Sequence, residues 1–251
     1  MVDLHNVISF CDQRINLSEV PDFDGAHNGL QMENNGEISK IGASVDGGLV
    51  PFRLAIEKKI DLLICHHGIF WTPPIPMTGS NYEKIHLCIE GNLAIYGAHL
   101  PLDCHQEIGN NAILANKLGL EPCGTFLPFK DVDIGLLTTS SYDRKELVER
   151  LNDLFPAGFH AMEFGMGKPE KIAILTGSGQ SAVDQILDAG ADTLITGELK
   201  QHHFNLAQEL ELNLYACGHY ATECFGVDAL AREVSHQFDL PYEFVETNCP
   251  L

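Results

Sequence analysis

Apolar side chains recur at helical spacing at the start of the chain. Between residues 3 and 16 they cluster on one helical face, which consists of Leu4, Val7, Ile8, Cys11 and Ile15. The pattern predicts an amphipathic first helix that packs this face against a core. A polar loop with the sequence DFDGAHNGLQ follows between Asp22 and Gln31.

Downstream, short apolar runs that suit buried strands alternate with helical patterns. The predicted strands cover residues 38–46, 61–65, 93–98, 133–138, 171–176, 192–196, 212–216 and 242–247. The predicted helices cover residues 49–59, 81–90, 110–118, 142–154, 181–189, 200–209 and 221–236. A Pro-rich loop is expected from Trp71 to Gly79. Alternating strands and helices predict an α/β protein with a layered, mostly parallel architecture.

The segment from Pro122 to Asp131 lacks strong periodicity and is the predicted domain boundary. We therefore expect a first α/β domain over residues 1–126 and a second over residues 127–251. The C-terminal strand either stays in the second domain or pairs with the sheet of the first.

A faint internal repeat relates the two halves of the chain. Residues 61–67 read DLLICHH and residues 192–203 read DTLITGELKQHH, so each half has a strand followed by a histidine pair. Residues 93–99 (LAIYGAH) and 213–219 (NLYACGH) form a second similar pair. Two interpretations stay open. The halves are two similar layered subdomains that face each other and share a site, or buried α/β strands simply look alike.

Composition and net charge limit the classes of protein to which the chain can belong. With 251 residues and 45% apolar side chains, the chain can bury a core, and no apolar run approaches the roughly 18 residues of a membrane span. The N-terminal segment lacks the regions of a signal peptide, so we expect a cytoplasmic protein whose eight cysteines are reduced thiols. The formal net charge of -20 repels phosphate backbones and attracts divalent cations. Nucleic acid is therefore an unfavourable partner.

Polar side chains follow several of the predicted strands, at the sheet edge where α/β proteins bind ligands. Adjacent His66 and His67 follow the strand at 61–65, and two imidazoles at a strand end favour metal binding over a structural role. Asp103 lies in GAHLPLDCH, where a buried carboxylate would need a partner and a metal ion is an efficient one.

His219 and Glu223, in GHYATE, are spaced i, i+4 where a helix is predicted to start. That spacing puts both side chains on one helical face. Alone, the pair also suits a solvated helix surface, but beside HHG and HLPLD it favours metal binding. Three histidines and two carboxylates suffice for two divalent ions if one carboxylate bridges them. These ligands suit Fe, Mn, Zn, Ni or Co, so the identity of the metal stays open.

Further polar groups are candidates for acid–base roles. Glu198, His202 and His203 follow another strand, in GELKQHH. Either they face the metal ions, where they hold the ligands in place or transfer protons, or they are solvent-exposed residues at the start of a helix. His99 is a third candidate for proton transfer, beside Glu198 and His202.

Two features are assigned structural roles. The cysteines nearest the candidate ligands are interpreted as small core residues and left out of the site: Cys65, Cys104, Cys217 and Cys224. The Gly-rich stretch ILTGSGQSA (174–182) matches no nucleotide-binding fingerprint and is interpreted as a tight turn.

The order and spacing of five motifs carry a resemblance to a known family. With ICHHGIFW, GAHLPLDCH, TGELKQHH, GHYATE and the early NGLQ, the chain resembles the YbgI-like family, labelled GTP cyclohydrolase I type 2 homologs. The resemblance spans Asn28 to Pro250. It implies a two-domain α/β fold with a dinuclear metal site between the domains, and toroidal homohexamers whose metal sites face the central cavity. The ligands that it implies are His66, His67, Asp103, His219 and Glu223, with Glu223 bridging.

Two classes of function are consistent with these residues. The first is a metal-dependent hydrolase, in which two divalent ions activate water for attack on a nucleotide or related heterocycle. His99, Glu198 or His202 would then transfer protons, and the partner would be a small-molecule substrate. The alternative is a non-enzymatic metal-binding or regulatory module.

Overall fold

Strands and helices alternate through the chain, and the predicted layered α/β architecture is confirmed. The computed structural model describes residues 1–70 and 76–251. Residues 71–75 of the predicted Pro-rich loop lie outside the described part of the chain. None of the described helices combines the length and the apolar character that a membrane span requires.

Two units divide the chain. Unit 1 comprises Met1–Leu102 and Gly226–Asn248, and unit 2 comprises Asp103–Phe225 and Cys249–Leu251. The domain boundary predicted between residues 126 and 127 falls inside strand β7 (Glu121–Phe129). Strand β7 pairs along its length with β8 (Val132–Thr139) in the sheet of unit 2. A boundary at that point would separate two hydrogen-bonded strands, so the whole hairpin belongs to unit 2.

A five-stranded sheet forms the centre of unit 1. Its strands are β2 (Gly29–Met32), β4 (Ile41–Asp46), β5 (Leu62–His67), β6 (Ala94–Gly97) and β13 (Tyr242–Phe244). Their order is β13-β4-β5-β6-β2, and all neighbours are parallel except β6 and β2. The other elements that begin in this unit are β1 (Val2–Asp3), α1 (Leu4–Arg14), β3 (Glu37–Ile38), α2 (Leu49–Glu57), α3 (Ser80–Glu90) and α4 (Leu100–Asp103). Because the parallel strands run the same way, the carboxyl ends of β4, β5 and β6 lie at one edge of the sheet.

Helix α1 shows how the sequence pattern becomes structure. The Asp3 carboxylate accepts a hydrogen bond from the Asn6 N–H at 3.2 Å and caps the first turn, an arrangement worth about 1 kcal/mol. The predicted apolar face is the buried one, with Leu4, Val7 and Cys11 each at most 1% exposed. Burying a leucine or valine side chain stabilises the fold by roughly 1.5–3 kcal/mol.

Unit 2 is built on a six-stranded mixed sheet. Its strands are β7, β8, β9 (His160–Glu163), β10 (Lys171–Ser178), β11 (Thr193–Glu198) and β12 (Asn213–Ala216). Their order is β7-β8-β10-β11-β12-β9. The helices α5 (Asn110–Leu118), α6 (Arg144–Leu154) and α7 (His203–Glu209) belong to this unit, and α8 (His219–Phe238) begins in it.

The second sheet differs from the mostly parallel arrangement that the pattern predicts. Only β10, β11 and β12 pair in parallel, while β7, β8 and β9 add antiparallel neighbours. Strand β7 was not predicted because it is a mostly exposed edge strand that contains Pro122 and Pro128. Proline is unusual in strands but is tolerated at a sheet edge.

The helix predicted over residues 181–189 is a series of turns instead. Its apolar positions Ala182, Val183 and Ile186 are buried as a helical face would be. The segment is bracketed by Gly179 and Gly190, and its backbone hydrogen bonds mix i→i−3 and i→i−4 spacing. Burial therefore follows the apolar pattern although the backbone is not a regular helix.

Candidate functional site

Adjacent histidines end strand β5 of unit 1. The strand extends through His66 and His67, two residues beyond the predicted end. Their ring centroids are nevertheless only 4.9 Å apart. His66 is buried and His67 is partly exposed. The strand end thus brings two imidazoles together, although adjacent residues of a regular strand point to opposite faces.

Each of these two rings is held by a hydrogen bond at Nδ1. The Nδ1 of His66 lies 2.8 Å from the carbonyl oxygen of Ala98, and the Nδ1 of His67 lies 2.8 Å from Oδ1 of Asp46. Both oxygens accept hydrogen bonds only, so Nδ1 carries the proton and Nε2 carries the lone pair. Metal-ligating histidines are commonly oriented by such a second hydrogen bond.

His99 joins this pair from the carboxyl end of the neighbouring strand β6. Its ring centroid is 5.0 Å from that of His66 and 5.7 Å from that of His67. One ring nitrogen from each of the three histidines lies within 4.8 Å of those of the other two. We call these three residues the histidine cluster of unit 1.

A carboxylate from the early polar loop holds His99. Both carboxylate oxygens of Asp22 approach Nδ1 of His99, at 2.9 and 3.0 Å. Burial alone would raise the pKa of the Asp22 carboxyl, but hydrogen bonds from His99, Asn28 and the Phe23 N–H outweigh it and hold the pKa below its ordinary value. Asp22 is therefore an ionised acceptor for the His99 ring.

The NGLQ motif, part of the resemblance in the sequence, supports the same strand ends. The Asn28 side chain accepts a hydrogen bond from the backbone N–H of His99 at 2.7 Å and donates one to Asp22. Gln31 accepts a hydrogen bond from the Ile69 N–H at 2.6 Å, just beyond the histidine pair. Asp22 and Asp46 hold rings of candidate histidines, a role that was not predicted from the sequence. The repeated Asp in DFDG and the Asp at the end of strand β4 were the available signals.

Unit 2 carries a second group on the first turn and a half of α8. The Nε2 of His219 lies 3.2 Å from Oε1 of Glu223, as the i, i+4 spacing predicts. The Nδ1 of His219 lies 3.5 Å from Glu198, which ends β11. The hydrogen bond with Glu223 is the main cause that raises the pKa of His219 above 6.5, helped by the charge of Glu198. Glu223 is 3% exposed. We call these three residues the α8 group.

Two glycines let α8 approach the ends of the strands. Gly177 has a φ of +65°, and a Cβ there would collide with the Glu223 carboxylate. A Cβ at Gly197 would lie 2.7 Å from the Thr222 hydroxyl, which itself accepts the Gly177 N–H at 3.1 Å. The Gly-rich stretch that was interpreted as a tight turn therefore also leaves room for the Glu223 carboxylate. The sequence alone does not reveal this role, because the contact is between residues distant along the chain.

Cavities open beside the remaining candidate residues of unit 2. Asp103 is buried, accepts a hydrogen bond from the Asn110 side chain at 2.7 Å, and lines a cavity of about 400 Å³. Glu198 and His219 line another cavity of about 390 Å³. Both volumes fall in the range of small-molecule pockets, roughly 300–1,000 Å³.

The second histidine pair of the internal repeat has a different setting. The rings of His202 and His203 lie 4.2 Å apart. His203 is buried, its Nδ1 accepts the Lys200 N–H at 3.0 Å, and burial lowers its pKa. His202 is exposed at the start of α7. Here the ring nitrogen of His203 accepts a local hydrogen bond, whereas the Nδ1–H groups of His66 and His67 donate.

Two of the four cysteines next to the candidate ligands are core residues, whereas Cys104 and Cys224 are only partly buried. Cys65 and Cys217 are buried, and burial raises the pKa of each thiol to about 12. Both stay neutral near pH 7, whereas a metal ligand would be a thiolate. The Cys224 thiol donates to the Tyr220 carbonyl at 3.2 Å, within α8.

The fold and these groups define a class of protein: an α/β chain with histidines and carboxylates at strand ends that could hold metal ions. The Duf34/NIF3 (NGG1p interacting factor 3) family matches residues 2–250, and the chain belongs to this family.

Similar proteins cover almost the whole chain. A GTP cyclohydrolase 1 type 2 homolog from Deinococcus radiodurans is 36% identical over 226 residues, which is 88% of this chain and 85% of that protein. The crystal structure of TTHA1606 from Thermus thermophilus is 33% identical with a TM-score of 0.88, and both chains are covered completely. The protein ybgI, described as of unknown function, has a TM-score of 0.91 at 29% identity, again with both chains covered completely.

Proposed function

We propose that this chain binds two divalent metal ions and uses them to hydrolyse a nucleotide or a related heterocycle. The proposed ligands are His66, His67, Asp103, His219 and Glu223. The observation that carries the proposal is the anchoring of His66 and His67 through Nδ1, because it leaves Nε2 of each ring as a lone-pair donor.

The donor set suits borderline divalent cations. Imidazole nitrogens and carboxylate oxygens bind Fe, Mn, Zn, Ni and Co. Once bound, such ions would lower the pKa of water to near neutrality and polarise the bond under attack. The buried Glu223 carboxylate beside His219 supports a site that accepts positive charge.

Residues of the chain would supply the remaining chemistry. Glu198 is half exposed beside His219 and lines a cavity of about 390 Å³, so it can reach both a small molecule and solvent. A carboxylate in that position can accept a proton from attacking water. The nucleotide class of substrate is supported by the printed names of relatives, which are GTP cyclohydrolase 1 type 2 homologs.

Metal content and turnover test the proposal together. Purified chain, reconstituted with Mn, Fe, Zn or Co, is expected to retain about two ions, to hydrolyse at least one member of a nucleotide and nucleobase panel, and to lose both properties in Glu223→Gln. Glu209→Gln, an exposed position in α7, is the matched control and should keep both.

Each negative result has its own meaning. Two bound ions without turnover of any panel member would overturn the hydrolase assignment and leave the non-enzymatic metal-binding module. Failure to bind any of these ions would overturn the metal assignment itself. A homohexamer belongs to the same proposal, and native mass spectrometry of the full chain would show six copies.

A further inference from the structure

A cavity of about 400 Å³ in unit 2 has no assigned role in the proposed function. Apolar side chains from three elements line it: Ala112 from α5, Pro122 from β7, and Ile134 and Leu136 from β8. Asp103, one of the proposed metal ligands, lines the same space. We call it the α5 cavity. Its volume suits a small molecule, and a ligand inside it would lie beside a residue proposed to hold a metal ion.

Hydrogen bonds tie the walls of the α5 cavity to each other. The Asn111 side chain of α5 donates to the Ile134 carbonyl oxygen of β8 at 3.0 Å and accepts the Thr176 N–H of β10 at 2.9 Å. Asn111 also lines the cavity and is only 4% exposed. The cavity is therefore formed by the fold itself, as small-molecule sites usually are.

A carboxylate on β8 gives the α5 cavity a directional polar group. Asp133 lines the cavity and is partly exposed. The Thr125 hydroxyl, on the neighbouring strand β7, donates to Oδ2 of Asp133 at 2.7 Å and so restricts the rotation of the carboxylate. An ionised carboxylate only accepts hydrogen bonds. Asp133 therefore favours a ligand that presents N–H donors.

The charge of the lining disfavours phosphate groups. The α5 cavity has the carboxylates of Asp103 and Asp133 in its walls, and no lysine or arginine of the described residues lines it. The described lining of the cavity beside Glu198 also lacks both residue types. Arg and Lys are the side chains that usually bind phosphates, and carboxylates repel them. An uncharged heterocycle avoids this repulsion.

We propose that the α5 cavity binds the base of the substrate, in the form of a nucleobase or a nucleoside that carries no phosphate. The faces of the heterocycle would pack against Ala112, Pro122 and Leu136, and its ring N–H or amino group would donate to Asp133. Enzymes that act on bases hold them in this way, between apolar side chains and with hydrogen bonds at one edge. The inference rests on the proposed function for the nucleotide class of substrate, and it adds the site and the preference against phosphates.

Binding to the metal-free full chain tests the cavity by itself. With EDTA present, no bound ion can recruit a phosphate group. The common ribonucleosides, their bases and their triphosphates are titrated by calorimetry. We expect at least one nucleoside or base to bind, and the corresponding triphosphate to bind about 10-fold more weakly, because its charge is repelled by the carboxylates.

Two substitutions test the location of the ligand. Asp133→Asn should weaken nucleoside binding about 10- to 100-fold, the usual effect of losing hydrogen bonds to a charged group. It should also narrow the gap between nucleoside and triphosphate, because one negative charge is removed. Ala112→Phe should abolish binding by filling the cavity. Asp131→Asn, at an exposed turn, and Lys145→Phe, at an exposed position of α6, are the matched controls and should bind as wild type does.

Circular dichroism melts restrict the comparison to folded variants. The inference is wrong if a triphosphate binds the metal-free chain as tightly as its nucleoside, or if no nucleoside or base binds. It is also wrong if Asp133→Asn and Ala112→Phe both bind as wild type does. These outcomes leave the proposed function standing, because metal retention and turnover are measured on the metal-loaded chain. Nucleoside binding by a chain that retains no metal would instead overturn the proposed function and support the α5 cavity as a base site.

Discussion

The Oδ1 atom of Asp46 lies 2.8 Å from the Nδ1 atom of His67. The parallel register of β4 and β5 produces this contact, because it pairs Asp46 directly with His67 at the ends of the two strands. One backbone register thus sets both the orientation of the imidazole and the nitrogen that stays available to a metal ion.

Replacing Asp46 with Ala should weaken metal binding about 10- to 100-fold while leaving the fold intact, because only the orientation of His67 is lost. Competition with a chromogenic chelator would measure the change in Kd. Asp131→Ala, at an exposed turn, is the control and should bind as wild type does. An unchanged Kd in Asp46→Ala would mean that His67 needs no carboxylate to hold its ring.

Gly177→Ala should be more destabilising than Gly36→Ala. Both positions have positive φ, so each substitution incurs backbone strain of about 1–3 kcal/mol. A Cβ at Gly36 meets nothing within 4 Å, whereas one at Gly177 collides with Glu223. Urea unfolding gives the difference between the two variants, and elemental analysis should show metal loss only in Gly177→Ala. Equal destabilisation would indicate that Glu223 moves aside at no cost.

The stability of the metal-free chain should depend on pH through His219. Its pKa is raised by Glu223 and Glu198, so the interaction stabilises the folded chain fully below pH 6.5 and is lost as the pH rises through the raised value. Metal binding has the opposite trend, because an ion displaces the proton. We expect His219→Gln to destabilise the metal-free chain more at pH 5.5 than at pH 8.5. A penalty that grows with pH would contradict the assigned charge state.

Asp143→Ala should lower the free energy of unfolding by about 1 kcal/mol. The Asp143 carboxylate caps α6 by accepting the Glu146 N–H at 2.9 Å. Asp153→Ala removes a carboxylate from the last turn of the same helix and should be neutral or slightly stabilising. Chemical denaturation of both variants tests the pair, and equal effects would show that the cap contributes nothing.

Much of the architecture could be predicted because burial follows local patterns. Helix α5 was predicted over residues 110–118 and ends there, where Gly119 adopts a left-handed conformation. The edge strands β7 and β9 were not predicted, since mostly exposed strands carry no strong alternation. Strand β2 has only four residues, and most of it lies in the segment that was interpreted as a polar loop. The mixed pairing of the second sheet also lay beyond sequence analysis, because strand direction depends on which partners meet.

The candidate site, like the fold, could be predicted only in part from the sequence. Short spacing indicated that His219 would reach Glu223, because residues one helical turn apart lie on one face of a helix. It left open whether the rings of His66 and His67 would meet, because adjacent residues of a strand point to opposite faces. It could not indicate that Asp22 would hold His99 across 77 positions of the chain.

The sequence by itself therefore determined the chemical types of the side chains and the elements that carry them. Only the tertiary structure decided which nitrogen of each histidine is anchored. That choice depends on oxygen acceptors from other strands and loops, and folding alone brings them within hydrogen-bond distance.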